Sequence, residues 1–301
     1  MNILISTCSQ GLIYALLALG IYITFRILNF ADMTTEGSLT LGGATSAVLI
    51  TSGMSPILSI LIAGIAGSLA GFITGFLHTK LKIQAILSGI LTMIALYSVN
   101  IRIMGKANLS LLGKKTIFRS IENLQFFKYD TPFATFIVVL IICIALLVIL
   151  NLFFKTRIGL AIRATGDNEQ MMRAQGGNTN FKKILALMIS NFMCGIAGAL
   201  IAQNQGYADI NMGTGTIVIA LASVVIGEAL IRKNKILLSL ISVVVGSICY
   251  RFIIFFVLNL GMNPSDLKLF TALVAAVLLA LPSIKETIVG GIKSVKNRKP
   301  V

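Results

Sequence analysis

Seven long apolar runs constrain the fold of this chain more than any other feature of its sequence. They lie at about residues 3–25, 56–77, 83–104, 132–154, 184–204, 236–260 and 266–284. Each is close to the roughly 20 apolar residues that a helix needs to cross about 30 Å of hydrocarbon. Only 12% of the residues are charged, about half of the roughly 25% usual in a soluble domain. The sequence therefore excludes a soluble enzyme and a disordered chain, and it predicts a multi-pass membrane protein.

Two weaker segments, 37–52 and 213–231, are rich in glycine, threonine and serine. Because backbone that departs from a plain spanning helix must face protein or a water-filled cavity, we interpret both as interrupted or re-entrant segments. The predicted fold is all-α and polytopic, with about nine transmembrane segments in a single domain that covers residues 1–301.

The distribution of basic residues predicts the orientation of the chain, because cytoplasmic loops carry an excess of lysine and arginine. Nine crossings with an outside N-terminus place 17 of the 25 basic residues in the cytoplasm, many of them in a loop at 155–183 and a tail at 285–301. Five fall in an outer loop at 105–131. If 27–52 were a re-entrant hairpin, the N-terminus would lie inside and the ratio would be 16 to 6. The net charge of +15 is thus an orientation signal, and we expect no nucleic-acid partner.

The sequence lacks the motifs of a catalytic, nucleotide-binding or metal site. The nearest approach to a phosphate-binding loop ends in Gly113-Lys114-Lys115, without the first glycine and the hydroxyl residue of that motif. His78 is the single histidine, and the four cysteines are far apart in apolar runs. We expect no catalytic residue, no metal and no cofactor in this chain, so any ATP hydrolysis would belong to a partner subunit.

Polar residues inside the membrane are the remaining candidates for function, because they are costly in hydrocarbon. The candidates for a substrate path or gate in the densest group are Asn29, Asp32, Thr35, Glu36 and Ser38. Transporters build such sites from an unwound stretch that leads into a half-helix. The alternative is that Asp32 only caps the helix that follows, while Glu36 pairs with Arg26 at the membrane interface.

A second polar segment, 203–215, contains Asp209. Its glycines and amides favour a re-entrant or broken helix at the outer surface, and a plain outer turn is the alternative. Glu228, at the inner end of the same weak segment, is the last acidic candidate for the path. Separately, the glycines at 64, 67, 71 and 75 predict close helix packing, with a partner in the same chain or in a second copy.

The inner loop 155–183 has the pattern of a short capped helix. Asp167 with Gln170 predicts its start, and Gly176-Gly177 predicts its end. A short exposed helix with methionines suits a groove on a cytoplasmic partner. The residues expected to make this contact are Gly166, Asp167, Asn168, Glu169, Met171, Met172 and Arg173.

At this loop the sequence resembles a known family. Residues 163–168 are similar to the cytoplasmic coupling segment of ABC importer permeases in the branched-chain amino acid and ribose permease superfamily. The likeness continues through 206–209 and 222–228, and the motif Asn29-Phe30-Ala31-Asp32 matches a pattern found near the N-terminus of these proteins. The combination looks most like the tryptophan/tyrosine permease subgroup, over about residues 8–285.

The resemblance implies an ABC importer permease fold in the plasma membrane. It implies a second permease copy in a homodimer, surrounded by membrane lipid, with a cytoplasmic ABC ATPase dimer and an extracytoplasmic substrate-binding protein, often a lipoprotein. The helix near 167–175 would then be the coupling helix, and the cargo an amino acid, aromatic or branched-chain, moved by alternating access. Branched-chain members often carry a histidine where this chain has Asp32. The alternative is an ion-coupled secondary transporter that uses Asp32, Glu36 or Glu228, which leaves the loop helix without a role.

Overall fold

The computed structural model describes residues 2–122, 131–231, 235–259, 266 and 269–277. Its elements in chain order are α1 (Asn2–Ile21) with a π-helical turn at Tyr22–Ile27, α2 (Thr34–Thr51), α3 (Pro56–Thr79), α4 (Ala85–Met104), β1 (Asn108–Ser110), α5 (Ile117–Glu122), α6 (Thr131–Lys155), α7 (Arg157–Asp167), α8 (Glu169–Ala174), α9 (Thr179–Gln205), β2 (Tyr207–Asp209), α10 (Thr216–Leu230) and α11 (Ile236–Asn259). Within these described residues, six helices are long and apolar enough to cross a membrane: α1 with its π-helical turn, α3, α4, α6, α9 and α11. The mostly helical, multi-pass character predicted from the sequence is confirmed.

The two weak segments both contain a helix, but neither helix is among the six. α2 has 18 residues, and α10 has only 15. Of the last predicted span, 266–284, the structure describes residues 266 and 269–277, and 269–277 are helical. The predicted number of about nine segments therefore stays a prediction.

α9 is the central helix of the bundle, and glycines bring its neighbours into backbone contact. A methyl group at Gly67 or Gly71 of α3 would overlap the backbone carbonyl of Asn191 or Leu187 in α9. α2 approaches α9 in the same way, because a methyl group at Gly198 would overlap the carbonyl of Leu39. The close packing predicted from the glycine spacing is confirmed, and the partner that the sequence left open is α9 of the same chain.

Contacts along α9 show that α2 begins deep inside the bundle. Asp32, just before α2, is hydrogen-bonded to Asn191, which lies near the middle of the 27-residue α9. Ser46, farther along α2, is hydrogen-bonded to Gln203 near the end of α9. α2 therefore runs from the centre of the bundle towards the end where α9 stops, which we call the outer end, following the predicted orientation.

α10 begins at the same depth in the bundle as α2 and runs in the opposite direction, towards the inner end. Its N-cap, Gly215, contacts Glu36 in the first turn of α2, and Glu228 near its other end pairs with Arg26 of the π-helical turn. The N-termini of α2 and α10 therefore meet inside the bundle. Such ends carry partial positive charge and unpaired backbone N–H groups, which attract anionic groups.

The outer end contains a small sheet where the sequence predicted a broken helix. α9 continues to Gln205 and stops at Gly206, which has a φ of +79°. Residues 207–209 then pair antiparallel with Asn108–Ser110 of the outer loop. The prediction of a broken helix over 203–215 is wrong, because residues 206–210 are hydrogen-bonded to the outer loop and the residues after them form turns. The segment nevertheless returns into the bundle, since Gly215 contacts Glu36 there.

The inner loop contains two helices where the sequence predicted one. α7 extends through Asp167, and Asn168, not Asp167, is the N-cap of α8, since its side chain accepts a hydrogen bond from the Met171 backbone N–H at 2.9 Å. The helix end at Gly176-Gly177 is in the predicted place, and Gly176 has a φ of +78°. The capping motif was therefore assigned one residue too early.

Candidate functional site

A hydrogen-bonded polar centre lies at the start of α2. The Asp32 carboxylate is only 6% exposed. It accepts hydrogen bonds from Asn191 Nδ2 at 2.7 Å and from the Thr34 backbone N–H at 2.9 Å. Ser38 Oγ donates to the Asn191 Oδ1 at 2.6 Å, and Thr35 Oγ1 donates to the Asp32 carbonyl at 3.2 Å. Asp32, one residue before the N-cap Met33, therefore satisfies the first backbone N–H of α2 and also ties this helix to the middle of α9.

Glu36 lies one turn farther along α2 and faces a different helix. Its Oε1 accepts a hydrogen bond from the backbone N–H of Gly215 at 2.8 Å, and its own carbonyl oxygen lies against Gly213. The alternative of a pair between Glu36 and Arg26 is wrong, because the Arg26 Nε lies 3.0 Å from the Glu228 carboxylate. The two carboxylates at positions 32 and 36 thus sit at the N-termini of two short helices, where the helix dipoles favour negative charge.

The π-helical turn connects this polar centre to the inner loop. Asn29 has a φ of +52°, in the left-handed region that asparagine tolerates better than most residues. Its side-chain Nδ2 donates to the carbonyl of Gly166 in α7 at 3.0 Å. A methyl group at Gly166 would overlap the Ile27 carbonyl. The segment that carries Asp32 is therefore held directly against the last turn of α7.

α8 is exposed and is tied to α9 by one carboxylate. Glu169 contacts Arg173 at 2.6 Å and Lys183 at 2.7 Å, and it accepts a hydrogen bond from Thr179 Oγ1 at 3.2 Å. Partial burial opposes ionisation of Glu169, but the hydrogen bond and charge of Lys183, with the charge of Arg173, hold the pKa of this carboxyl below its ordinary value. No residue of α8 is buried, and the Met171 side chain is 47% exposed. The helix is anchored at its base, and its surface is exposed.

A cavity of about 260 Å³ opens between the π-helical turn, α7 and the start of α11. Its polar lining includes Tyr22, Arg26, Arg163, Asp167 and Lys235. Three of these five side chains are basic. The cavity lies where the inner ends of three elements meet, so a movement of α7 changes its shape.

The structure brings together some of the predicted site residues and separates others. Asn29, Asp32, Thr35 and Ser38 share the polar centre and its link to α7, and Glu36 lies beside it. Asp209 instead accepts a hydrogen bond from the Asn211 backbone N–H at 2.8 Å, in a turn at the outer end. Glu228 lies at the inner end with Arg26. These two acidic residues do not join the centre.

Asn191 is the central residue that sequence reasoning missed. It is fully buried, and its side chain joins Asp32 to Ser38. An asparagine in the middle of the apolar run 184–204 is a signal of the same kind as Asp32, because polar groups in hydrocarbon need partners. In the sequence only Ser190 adjoins it, whereas Asp32 lies in a cluster of polar residues.

Comparison with known proteins identifies the family. Residues 3–282 match the family model described as "Branched-chain amino acid transport system / permease component". The chain is 40% identical to the tyrosine transport system permease protein of Clostridioides difficile (strain R20291), over 100% of both chains. It is 33% identical to an uncharacterized protein of Rickettsia prowazekii (strain Madrid E), with 95% and 99% of the two chains covered. It is 27% identical to a galactofuranose transporter permease protein of Escherichia coli (strain K12), with 94% and 80% covered. No solved structure gives a significant match to the chain.

The bundle of apolar helices with a buried polar centre defines a transport permease, not an enzyme. The chain belongs to the branched-chain amino acid transport permease family of ABC transporters, as the resemblance of the inner loop predicted. It is a multi-pass protein of the plasma membrane, and permeases of this family in general work with ATPase and substrate-binding-protein partners.

Proposed function

We propose that this chain is the membrane subunit of an ATP-driven importer that moves an amino acid, aromatic or branched-chain, across the plasma membrane by alternating access. The observation that carries the proposal is the direct link from the exposed α8 to the buried polar centre, through Gly166, Asn29 and Asp32. An aromatic substrate is favoured by the name of the relative from Clostridioides difficile, a tyrosine transport system permease protein.

The proposed mechanism transmits a movement of the inner loop to the centre of the bundle. An ATPase dimer that closes on ATP would displace α8 and with it α7. Because Gly166 lies against Ile27 and holds the Asn29 side chain, the π-helical turn moves with α7. Asp32 follows three residues later, so the hydrogen bonds that join α2 to Asn191 would form and break with the transport cycle. π-Helical turns are common at such functional positions.

The proposed partners are a cytoplasmic ABC ATPase dimer, an extracytoplasmic substrate-binding protein and a second copy of this permease. The residues proposed to contact the ATPase are those of the α7–α8 junction, from Gly166 to Arg173. Two features support a docking role. Met171 is exposed, and the ion pair of Glu169 with Lys183 fixes α8 to α9.

The substitution Gly166→Ala tests this mechanism. In proteoliposomes that contain the full complex, we expect amino-acid uptake to fall about tenfold or more, because the added methyl group separates α7 from the π-helical turn, and misplacements of about 1 Å have such effects. We expect the variant to remain in the membrane. Asn180→Ala, at an exposed position of the same end, serves as the control. Uptake and ATPase stimulation at the normal level in Gly166→Ala would contradict the mechanism.

An ion-coupled secondary transporter is the second candidate function. It is favoured by Glu36, which forms no ion pair with any described lysine or arginine. A carboxylate in that position suits a proton or sodium site. Uptake by the reconstituted permease alone, driven by an ion gradient, would support this candidate against the ATP-driven one.

A further inference from the structure

A cavity of about 330 Å³ opens beside Glu36, in the outer half of the bundle. It lies between α2, α4 and the turn at 210–214, and its lining includes Glu36, Tyr97 and Asn100. Asn100 Nδ2 donates to the Gly37 carbonyl at 3.3 Å, which holds α4 against the first turn of α2. The volume is within the lower part of the range of small-molecule sites, about 300–1,000 Å³.

One buried hydrogen-bond acceptor in this lining lacks a partner, and a half-buried carboxylate in the same lining has no basic partner. Asn100 is 1% exposed, and its Oδ1 has no hydrogen-bond partner among the described residues. Glu36 accepts a hydrogen bond from Gly215, yet in the described part of the chain no basic side chain pairs with it. A buried acceptor without a donor costs about 1–3 kcal/mol, and a charged group costs more. The lining of the cavity therefore offers a carboxylate and an unpaired acceptor but contains no basic side chain.

The Glu36 carboxylate in the lining of this cavity is poorly suited to contact with lipid. A carboxylate that faces hydrocarbon is costly, and such groups normally face a bundle interior or a water-filled cavity. The cavity lies at the level where the N-terminus of α10 meets α2, on the side of the centre towards the outer end. A substrate delivered from outside would reach this level before it reaches Asp32.

From this geometry we infer that the cavity is a substrate site in the permease itself, and that it recognises a primary ammonium group. The Glu36 carboxylate and the Asn100 Oδ1 accept hydrogen bonds from the ammonium, as charge-assisted contacts. The ring of Tyr97, which is 50% exposed, offers its face to the cation or packs on an aromatic side chain of the substrate. The inference rests on the proposed function, because it names the part of the amino acid that the permease reads.

Direct binding to the full-length permease in lipid nanodiscs tests the inference without the ATPase or the binding protein. The probes are L-tyrosine, tyramine, which keeps the ammonium group but lacks the carboxylate, and N-acetyl-L-tyrosine, which lacks the ammonium charge. We expect tyrosine and tyramine to bind and N-acetyl-L-tyrosine to bind at least about tenfold more weakly. Absence of binding by both ammonium compounds, or equal binding of all three, would overturn the inference.

Two substitutions locate the site. Glu36→Gln keeps the size and the acceptor for Gly215 but removes the charge, and we expect it to weaken tyramine binding about tenfold or more. Asn100→Leu should weaken it as well, since the Oδ1 is removed. Asn180→Ala, at an exposed position of the inner end, is the control and should bind normally. Unchanged binding in Glu36→Gln would overturn the inference, and if the wild-type complex still imports tyrosine, the proposed function stands.

Discussion

Asn191 is the residue that holds the polar centre together, because its amide joins the Asp32 carboxylate to the Ser38 hydroxyl. We predict that Asn191→Leu lowers the free energy of unfolding by about 3 kcal/mol, since it leaves a buried charge and a buried hydroxyl without partners. Thermal unfolding of the permease in nanodiscs measures the change.

A second buried asparagine provides the control for this prediction. Asn151 is 9% exposed, and its Oδ1 has no hydrogen-bond partner in the described residues. Asn151→Leu should therefore be close to neutral, because little hydrogen bonding is lost. Equal losses of stability in the two variants would show that Asn191 contributes size and not hydrogen bonds.

The Glu169 carboxyl gives α8 a dependence on pH. Its pKa is below the ordinary value because, against the effect of partial burial, Lys183 and Arg173 stabilise the ionised form. A lowered folded-state pKa contributes stability above the unfolded value of about 4.3, and this contribution is lost as pH falls through the folded pKa. We predict that Glu169→Gln speeds amide hydrogen exchange in α8 at pH 7, and that the difference from wild type disappears in acid.

Asp167→Asn is the control for the exchange experiment. Asp167 is exposed at the end of α7 and has no ion pair among the described side chains. Its substitution should leave exchange in α8 unchanged at both pH values. If Asp167→Asn and Glu169→Gln behave alike, the anchor on Lys183 does not hold α8.

At the residue scale, the sequence indicated the acidic side of the centre but not its partners. Asp32 and Glu36 stand out because carboxylates are rare in apolar surroundings. Their contacts depend on which helices meet. The pairing of Arg26 with Glu228 and the role of Asn191 therefore could not be predicted without the three-dimensional structure. The cavity beside Glu36 also depends on Tyr97 and Asn100 of another helix.

At the scale of elements, the contact between α3 and α9 depends on glycine. We predict that Gly71→Ala lowers the free energy of unfolding by about 1–3 kcal/mol, because its methyl group overlaps the Leu187 carbonyl and forces the helices apart. Ser68→Ala, on the same helix, is the control and should have a much smaller effect. Unfolding curves for the two variants that coincide would contradict this account of the packing.

Local patterns predicted some elements well and others poorly. The glycine spacing correctly predicted the close packing of α3, and Gly176-Gly177 correctly predicted the end of α8. α7 was missed because its charged, weakly apolar sequence resembles a plain loop. The β1–β2 pair was missed because each strand has three residues, and the two are about 100 residues apart in the chain.

At the scale of the whole molecule, composition predicted the membrane class, and six helices of the described residues are long and apolar enough to cross a membrane. α2 and α10 are too short or too polar to be counted by the criteria that six other helices meet. Their meeting inside the bundle comes from contacts with α9 and Glu36, which no periodicity in the sequence shows.

The orientation of the chain can be tested by cysteine labelling. With Cys8 replaced by serine, we predict that Asn2→Cys reacts with an impermeant reagent from outside, because nine crossings and the charge distribution predict an outside N-terminus. Asn180→Cys, beside α8, should react only from inside. Labelling of Asn2→Cys from the inside alone would contradict the outside N-terminus.

The central claim is that ATP hydrolysis by a partner drives amino-acid uptake through this permease. The most direct measurement is uptake of radiolabelled L-tyrosine into proteoliposomes that contain the permease with its ATPase and binding protein, with and without ATP. The account predicts uptake that requires ATP and the binding protein and persists when ion gradients are collapsed. Uptake by the permease alone, which needs an ion gradient and ignores ATP, would contradict it.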